Sequence, residues 1–208
     1  EQKKLERVVA LFQKYSDQYG FDWIALTAQA YQESGLDHSV KSPAGAVGIM
    51  HMLPSSAGDK AISISDIHIL ENNIHAGTKY MAFLRDHYFI DPALTPENRQ
   101  AFSWAAYNAG PANVIKMRNK AKAMGLNPDI WFANVEIAAS KLTGRETVQY
   151  VAHIHKYYIA YKLASSLQKG DPLFISNTGS GSISGNLEAT EAGVLQAGRA
   201  LHITDLRL

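Results

Sequence analysis

The chain has 208 residues, 46% of them apolar, enough to bury one substantial core. Its 20 basic and 19 acidic residues leave a formal net charge of +1, too little field to favour nucleic acid or an anionic membrane. Without cysteine there is neither a disulfide framework nor a thiolate metal site, and no apolar run approaches the ~20 residues that cross a bilayer. The first residue is Glu1 rather than Met, which raises the expectation of a processed form or an excised piece.

Residues 5–167 read almost entirely as helix. Leu5, Val8, Val9, Phe12 and Tyr15/Tyr19 form one apolar stripe that Gly20 ends. Asp22 suits an N-cap for a second helix over residues 23–34, with Trp23, Ile24, Leu26, Ala30 and Tyr31 on the core side and Gly35 as its stop. Residues 36–58 break into turn chemistry (Ser42-Pro43-Ala44-Gly45, Gly48, Pro54-Ser55-Ser56), with a short helix expected after Pro54. Helical spacing returns over residues 72–88, where Ile74, Met81, Leu84 and Tyr88 share a face, and again over 97–107, 111–124 and 146–167. No period-2 run is long enough to require a sheet. Glycine and serine dominate residues 170–185, a linker composition. Residues 187–208 then carry Leu187, Val194, Leu195, Leu201 and Leu206, which suit a short docking helix or a disordered end. The expected organisation is one helical domain over residues 1–168, with a linker and tail over 169–208.

Glu33 closes the second helix, in Ala30-Tyr31-Gln32-Glu33-Ser34-Gly35. Apolar neighbours (Tyr31, and Ile49, Met50 and Leu53 of the loop) and the negative end of the helix macrodipole both disfavour its charge. Those are conditions for a general acid. Periodicity alone favours a solvated carboxylate at a helix end.

Five motifs stand around it in order. Glu33-Ser34 is followed by Ser42-Pro43-Ala44-Gly45-Ala46 with Gly48-Ile49-Met50, then Asn73-Ile74-His75-Ala76-Gly77 with Tyr80. Ala106-Tyr107-Asn108-Ala109-Gly110 comes next, then Glu146-Thr147 with Tyr150-Val151. Together, over roughly residues 15–167, they resemble the catalytic domain of the soluble lytic transglycosylase family, and within it the membrane-bound lytic transglycosylase F type. The resemblance implies an all-α, lysozyme-like fold with a saccharide cleft, acting on the glycan strands of peptidoglycan without metal or cofactor. It implies a periplasmic setting, with an outer-membrane attachment or an extra N-terminal domain belonging to a longer protein. Oligomeric state is not indicated.

The resemblance further implies that Glu33 protonates the glycosidic oxygen between N-acetylmuramic acid and N-acetylglucosamine. As a carboxylate, Glu33 then takes the proton of the muramoyl 6-hydroxyl as a 1,6-anhydro ring closes. The substrate acetamido group replaces the second carboxylate that a double displacement needs about 5 Å away. Ser42 matches the serine placed near that acetamido group, although a serine before proline also simply forms a turn. Tyr107 is expected to bond Glu33 or the sugar, and Asn108 the sugar or the loop backbone. Glu146 and Tyr150, one helical turn apart, are expected on the same cleft wall, with Tyr150 contacting the sugar, although Glu146 equally suits a helix start favoured by the macrodipole. Met50 offers an apolar contact or a core methionine. His51 departs from the glutamine usual there, and is expected to retune substrate binding and add pH sensitivity without abolishing turnover. His153 and His155 point to different sides of a helix, which argues against a shared metal. Competing readings are a hydrolytic muramidase of goose type, a wall-binding domain that has lost turnover, and a C-terminal tail that regulates the cleft.

Overall fold

A computed structural model describes residues 2–169, with side chains over residues 6–165. The expected linker over 170–185 and tail over 187–208 lie outside the described residues. Eight α-helices are present there: α1 (Gln2–Tyr19), α2 (Trp23–Ser34), α3 (Pro54–Ala57), α4 (Leu70–Tyr88), α5 (Pro96–Ala109), α6 (Pro111–Ala123), α7 (Glu136–Thr143) and α8 (Glu146–Lys169). The described residues contain no strand, only bridges pairing Val47 with Lys41 and Met52.

The apolar stripe of α1 buries Val8, Leu11, Phe12 and Tyr15. Burying a side chain such as Phe12 stabilises the fold by roughly 1.5–3 kcal/mol. Helix α2 is the axle of the domain: Ile24 to Ala30 are all buried, as a helix enclosed on every side requires. Its N-cap is Asp22, whose Oδ1 accepts the Ile24 N–H at 2.9 Å. The other carboxylate oxygen accepts from Tyr158 and Lys162, both at 3.0 Å, which ties α2 to its principal neighbour α8. Gly35, at φ +64°, takes the left-handed turn that stops α2.

Helix α5 opens with Thr95 as N-cap and Pro96 in its first turn, then buries Ala101 to Ala106 against α4, α6 and α8. The sequence spacing places α2, α4, α5, α6 and α8 to within a few residues. It misses the segment between α6 and α8. There Trp131–Val135 form a π-type turn, in which Phe132 and Ala133 leave helical geometry. Helix α7 follows directly. The Asn98 side chain holds the turn by accepting the Trp131 N–H at 2.9 Å. No helix among the described residues is long and apolar enough to cross a membrane.

Candidate active site

The last turn of α2 presents Glu33 beside the loop that runs from Val47 to Met52. Ser34 Oγ stitches helix to loop, donating to Ile49 O at 2.8 Å. The loop is a tight antiparallel turn, in which Val47 and Met52 exchange backbone hydrogen bonds of 2.9 and 3.0 Å. Gly48 (φ +79°) is needed there, because a Cβ would stand 2.5 Å from Asn73 Nδ2.

Asn73, fully buried on α4, organises the loop from below. Its Oδ1 accepts the Met50 N–H at 2.8 Å. Its Nδ2 donates to Val47 O and Ile67 O, both at 2.9 Å. His38 supports the neighbouring residue, with Nδ1 accepting the Ile49 N–H at 3.2 Å and Nε2 donating to His68 O at 2.8 Å. Those two bonds fix its neutral tautomer.

The Glu33 side chain is only 11% exposed, and its two oxygens have different neighbours. Tyr150, reaching across from α8, donates to Oε1 at 2.5 Å. His51 Nδ1 stands 3.4 Å from Oε2. Burial, and then the Glu33 charge, push the Tyr150 phenol well above its ordinary value. Tyr107 is displaced the same way by the same causes. Both phenols therefore stay protonated across the working pH range and serve as donors. Gln29, fully buried one turn before Glu33, has an amide that makes no hydrogen bond among the described residues. A lone amide in the apolar run from Ile24 to Ala30 was the available signal for it, and the motifs do not include it.

The structure brings Glu33, His51, Tyr107 and Tyr150 together and changes two expected roles. The Tyr107 hydroxyl donates to Met50 O at 2.7 Å, with Met52 Sδ at 2.9 Å, rather than to Glu33. Tyr150, buried apart from 7%, holds Glu33 instead of offering its hydroxyl to a sugar. Met50 needs correction as an expected substrate contact. Its side chain is fully buried and packs onto Gly77, where a Cβ would come within 2.7 Å of Met50 Cβ. It is a core methionine.

Asn108 is exposed at the end of α5 and does not hold the loop backbone. Its Oδ1 accepts from Thr147 Oγ1 at 2.8 Å, locking α5 to the start of α8. Glu146 is exposed in the first turn of α8. Ser42 Oγ accepts the Ala46 N–H at 3.0 Å, closing the turn through Pro43, and its hydroxyl hydrogen remains a donor. His153 and His155 have separate aromatic neighbours, Tyr157 and Phe132. Among the described residues no group of three or more metal-ligating side chains gathers anywhere. A cavity of about 570 Å³ around Phe21, Trp104, His155 and Tyr158 lies at the opposite end of α2 and does not include Glu33.

Comparison with known proteins agrees with this architecture. The chain is 32% identical over 168 residues to the membrane-bound lytic murein transglycosylase F of Desulfosudis oleivorans, covering 74% of this chain and 36% of that protein. Identity to the Pseudomonas fluorescens protein of the same name is 30%, covering 76% and 34%. The chain thus spans about a third of the length of these relatives. Among solved structures it resembles the 70 kDa soluble lytic transglycosylase of Escherichia coli (TM-score 0.57, 28% identity, 78% of this chain and 24% of that one). It also resembles an inactive mutant of the lytic transglycosylase Slt of Pseudomonas aeruginosa (TM-score 0.57, 22% identity, 79% and 24%). The fold is thus the mainly helical, lysozyme-like one of those enzymes. Residues 10–130 match the model of the transglycosylase SLT domain, and the chain belongs to that family.

Proposed function

We propose that this chain is a lytic transglycosylase that cleaves the β-1,4 bond between N-acetylmuramic acid and N-acetylglucosamine in peptidoglycan, with Glu33 as its single acid and base. The observation that carries this reading is a mostly buried carboxylate gripped from one side by Tyr150 and faced on the other by His51. Beyond burial, one carboxylate, Glu33, acts on both phenols, and the same carboxylate raises the His51 ring. That suits a reaction in which the substrate supplies its own nucleophiles, whereas a double displacement needs a second carboxylate about 5 Å away.

In the first step the Glu33 carboxyl proton passes to the glycosidic oxygen as the C1–O bond breaks, the acetamido group stabilising C1. In the second, the muramoyl 6-hydroxyl attacks C1 and its proton returns to Glu33, closing the anhydro ring. Tyr150 keeps the carboxylate oriented in both steps, and Tyr107 fixes the Met50 carbonyl so that the loop keeps its shape. The hydroxyl of Ser42, the amide of Asn108 and the exposed Glu146 are the proposed sugar contacts. The catalytic unit is residues 1–168. The membrane-bound relatives favour a periplasmic site of action, attached to the outer membrane within a longer protein.

Incubating the chain with purified peptidoglycan tests the activity: soluble muropeptides are expected, and their absence together with retained binding would favour a wall-binding domain. Tyr150→Phe is expected to lower kcat about 10- to 100-fold, the range for losing one hydrogen bond to a charged group. KM should change far less, because the hydroxyl touches Glu33 and not the sugar. A change confined to KM would return Tyr150 to the sugar-contacting role.

A further inference from the structure

His51 occupies an unusual backbone position. Its φ is +50°, in the left-handed region that few side chains other than Gly, Asn, Asp and His enter. The turn holds it there: the His51 N–H donates to Gly48 O at 2.9 Å, and the preceding N–H is anchored on Asn73. The loop therefore aims the imidazole, and it aims it at one oxygen. Tyr150 already occupies Oε1 of Glu33, so the oxygen left to carry a transferable proton is Oε2, 3.4 Å from His51 Nδ1.

We propose that His51 and Glu33 work as one proton-carrying pair, in which the imidazole stores the proton that Oε2 delivers and so sets the alkaline limit of the reaction. The inference rests on the reading of Glu33 as acid and base. The protons balance. The Nδ1–H bond breaks as Oε2–H forms, and that proton then leaves Oε2 for the glycosidic oxygen. The proton of the 6-hydroxyl arrives on Oε2 in the second step and restores the pair. His51 touches the reaction only through Glu33 and is a positioning residue.

The groups facing this pair are Tyr150 from α8 and Tyr107 from α5, with Tyr80 of α4 behind Tyr107. All three phenols are shifted upward, by burial first, so in the range where imidazole and carboxylate titrate they contribute no charge. The Glu33 carboxylate beside it, 3.4 Å away, raises the His51 pKa above its ordinary 6.5, and burial pulls it partly back. The His51 proton therefore leaves above that ordinary histidine value. The linked stability has the matching sign. It is fully present below the unfolded histidine pKa and is lost as pH rises through the higher folded one.

The test compares the pH profile of kcat/KM on peptidoglycan for native protein and His51→Gln, each scaled to its own maximum. The alkaline limb is expected to move to lower pH by about one unit or more in the variant, because glutamine stores no proton. Coincident limbs would overturn the proposal. An independent measurement is the NMR titration of the His51 ring in native protein and in Glu33→Gln. Its midpoint is expected to fall in the variant, since the raising partner is gone and burial remains, and an unchanged midpoint would overturn the pair. This second readout needs no turnover and no His51 variant. If peptidoglycan is not cleaved but the titration shifts, the functional reading fails and the pair stands.

Discussion

Glu33→Gln is expected to lower the release of soluble fragments from peptidoglycan by about 10³-fold or more, while the protein stays folded with nearly native stability. General acid–base catalysis by one positioned group is worth about 10²–10⁴-fold, and here the same group serves both steps, so both lose it. Glutamine keeps the shape of the side chain and an oxygen to accept from Tyr150, but can neither give nor take the proton. Removing the charge is nearly neutral for folding. The negative end of α2 stops opposing a carboxylate, a gain of some tenths of a kcal/mol, against loss of the attraction to His51. Rate assays beside thermal melts separate the two effects. Substantial turnover in a folded Glu33→Gln protein would remove Glu33 from the mechanism.

The second large effect is on stability. Asn73→Ala is expected to destabilise the domain by about 3–5 kcal/mol, because it strands one N–H and two carbonyl groups at roughly 1–3 kcal/mol each, less what water recovers. Asn73 is fully buried and makes three bonds, to Met50 N, Val47 O and Ile67 O. At about 2–4 °C per kcal/mol for a domain this size, the Tm falls by about 10 °C. Activity falls further than stability alone requires, since the loop that aims His51 and carries the Met50 carbonyl loses its support. Asn73→Asp is no rescue: it keeps the acceptor for Met50 but sets a carboxylate against two carbonyl oxygens. A loss of less than about 1 kcal/mol would show that the loop is held by its own turn rather than by α4.

The contrast between Glu33 and Asn73 shows what the sequence could reveal. Long helices were legible because Val8, Phe12, Ile74, Met81 and Leu84 repeat at helical spacing and are indeed buried. The segment over residues 131–143 was not, for two reasons. Its first half is a π-type turn without period. Its second half buries only Ala138 and Ala139, side chains too small to mark a stripe. Motif order drew attention to Glu33, Tyr107 and Tyr150, but which phenol meets the carboxylate depends on how α5 and α8 cross α2, which no local pattern encodes. The sequence leaves Met50 open between an apolar contact and a core methionine, and Gly77 decides it by opening a hole in α4 that the Met50 side chain fills. Asn73 stood inside a motif, yet its side chain works entirely on backbone groups outside its own helix. His51 was noticed only as a departure, and the structure places that departure against the carboxylate.

The central claim is that one carboxylate breaks the glycosidic bond and lets the substrate close on itself. Mass spectrometry of the fragments released from peptidoglycan tests this most directly, with the Glu33→Gln protein treated in parallel. The account predicts muropeptides ending in 1,6-anhydro-N-acetylmuramic acid from the native protein, and essentially none from the variant. Fragments with reducing N-acetylmuramic acid ends, each heavier by one water, would show that water rather than the 6-hydroxyl attacks C1, and would contradict it.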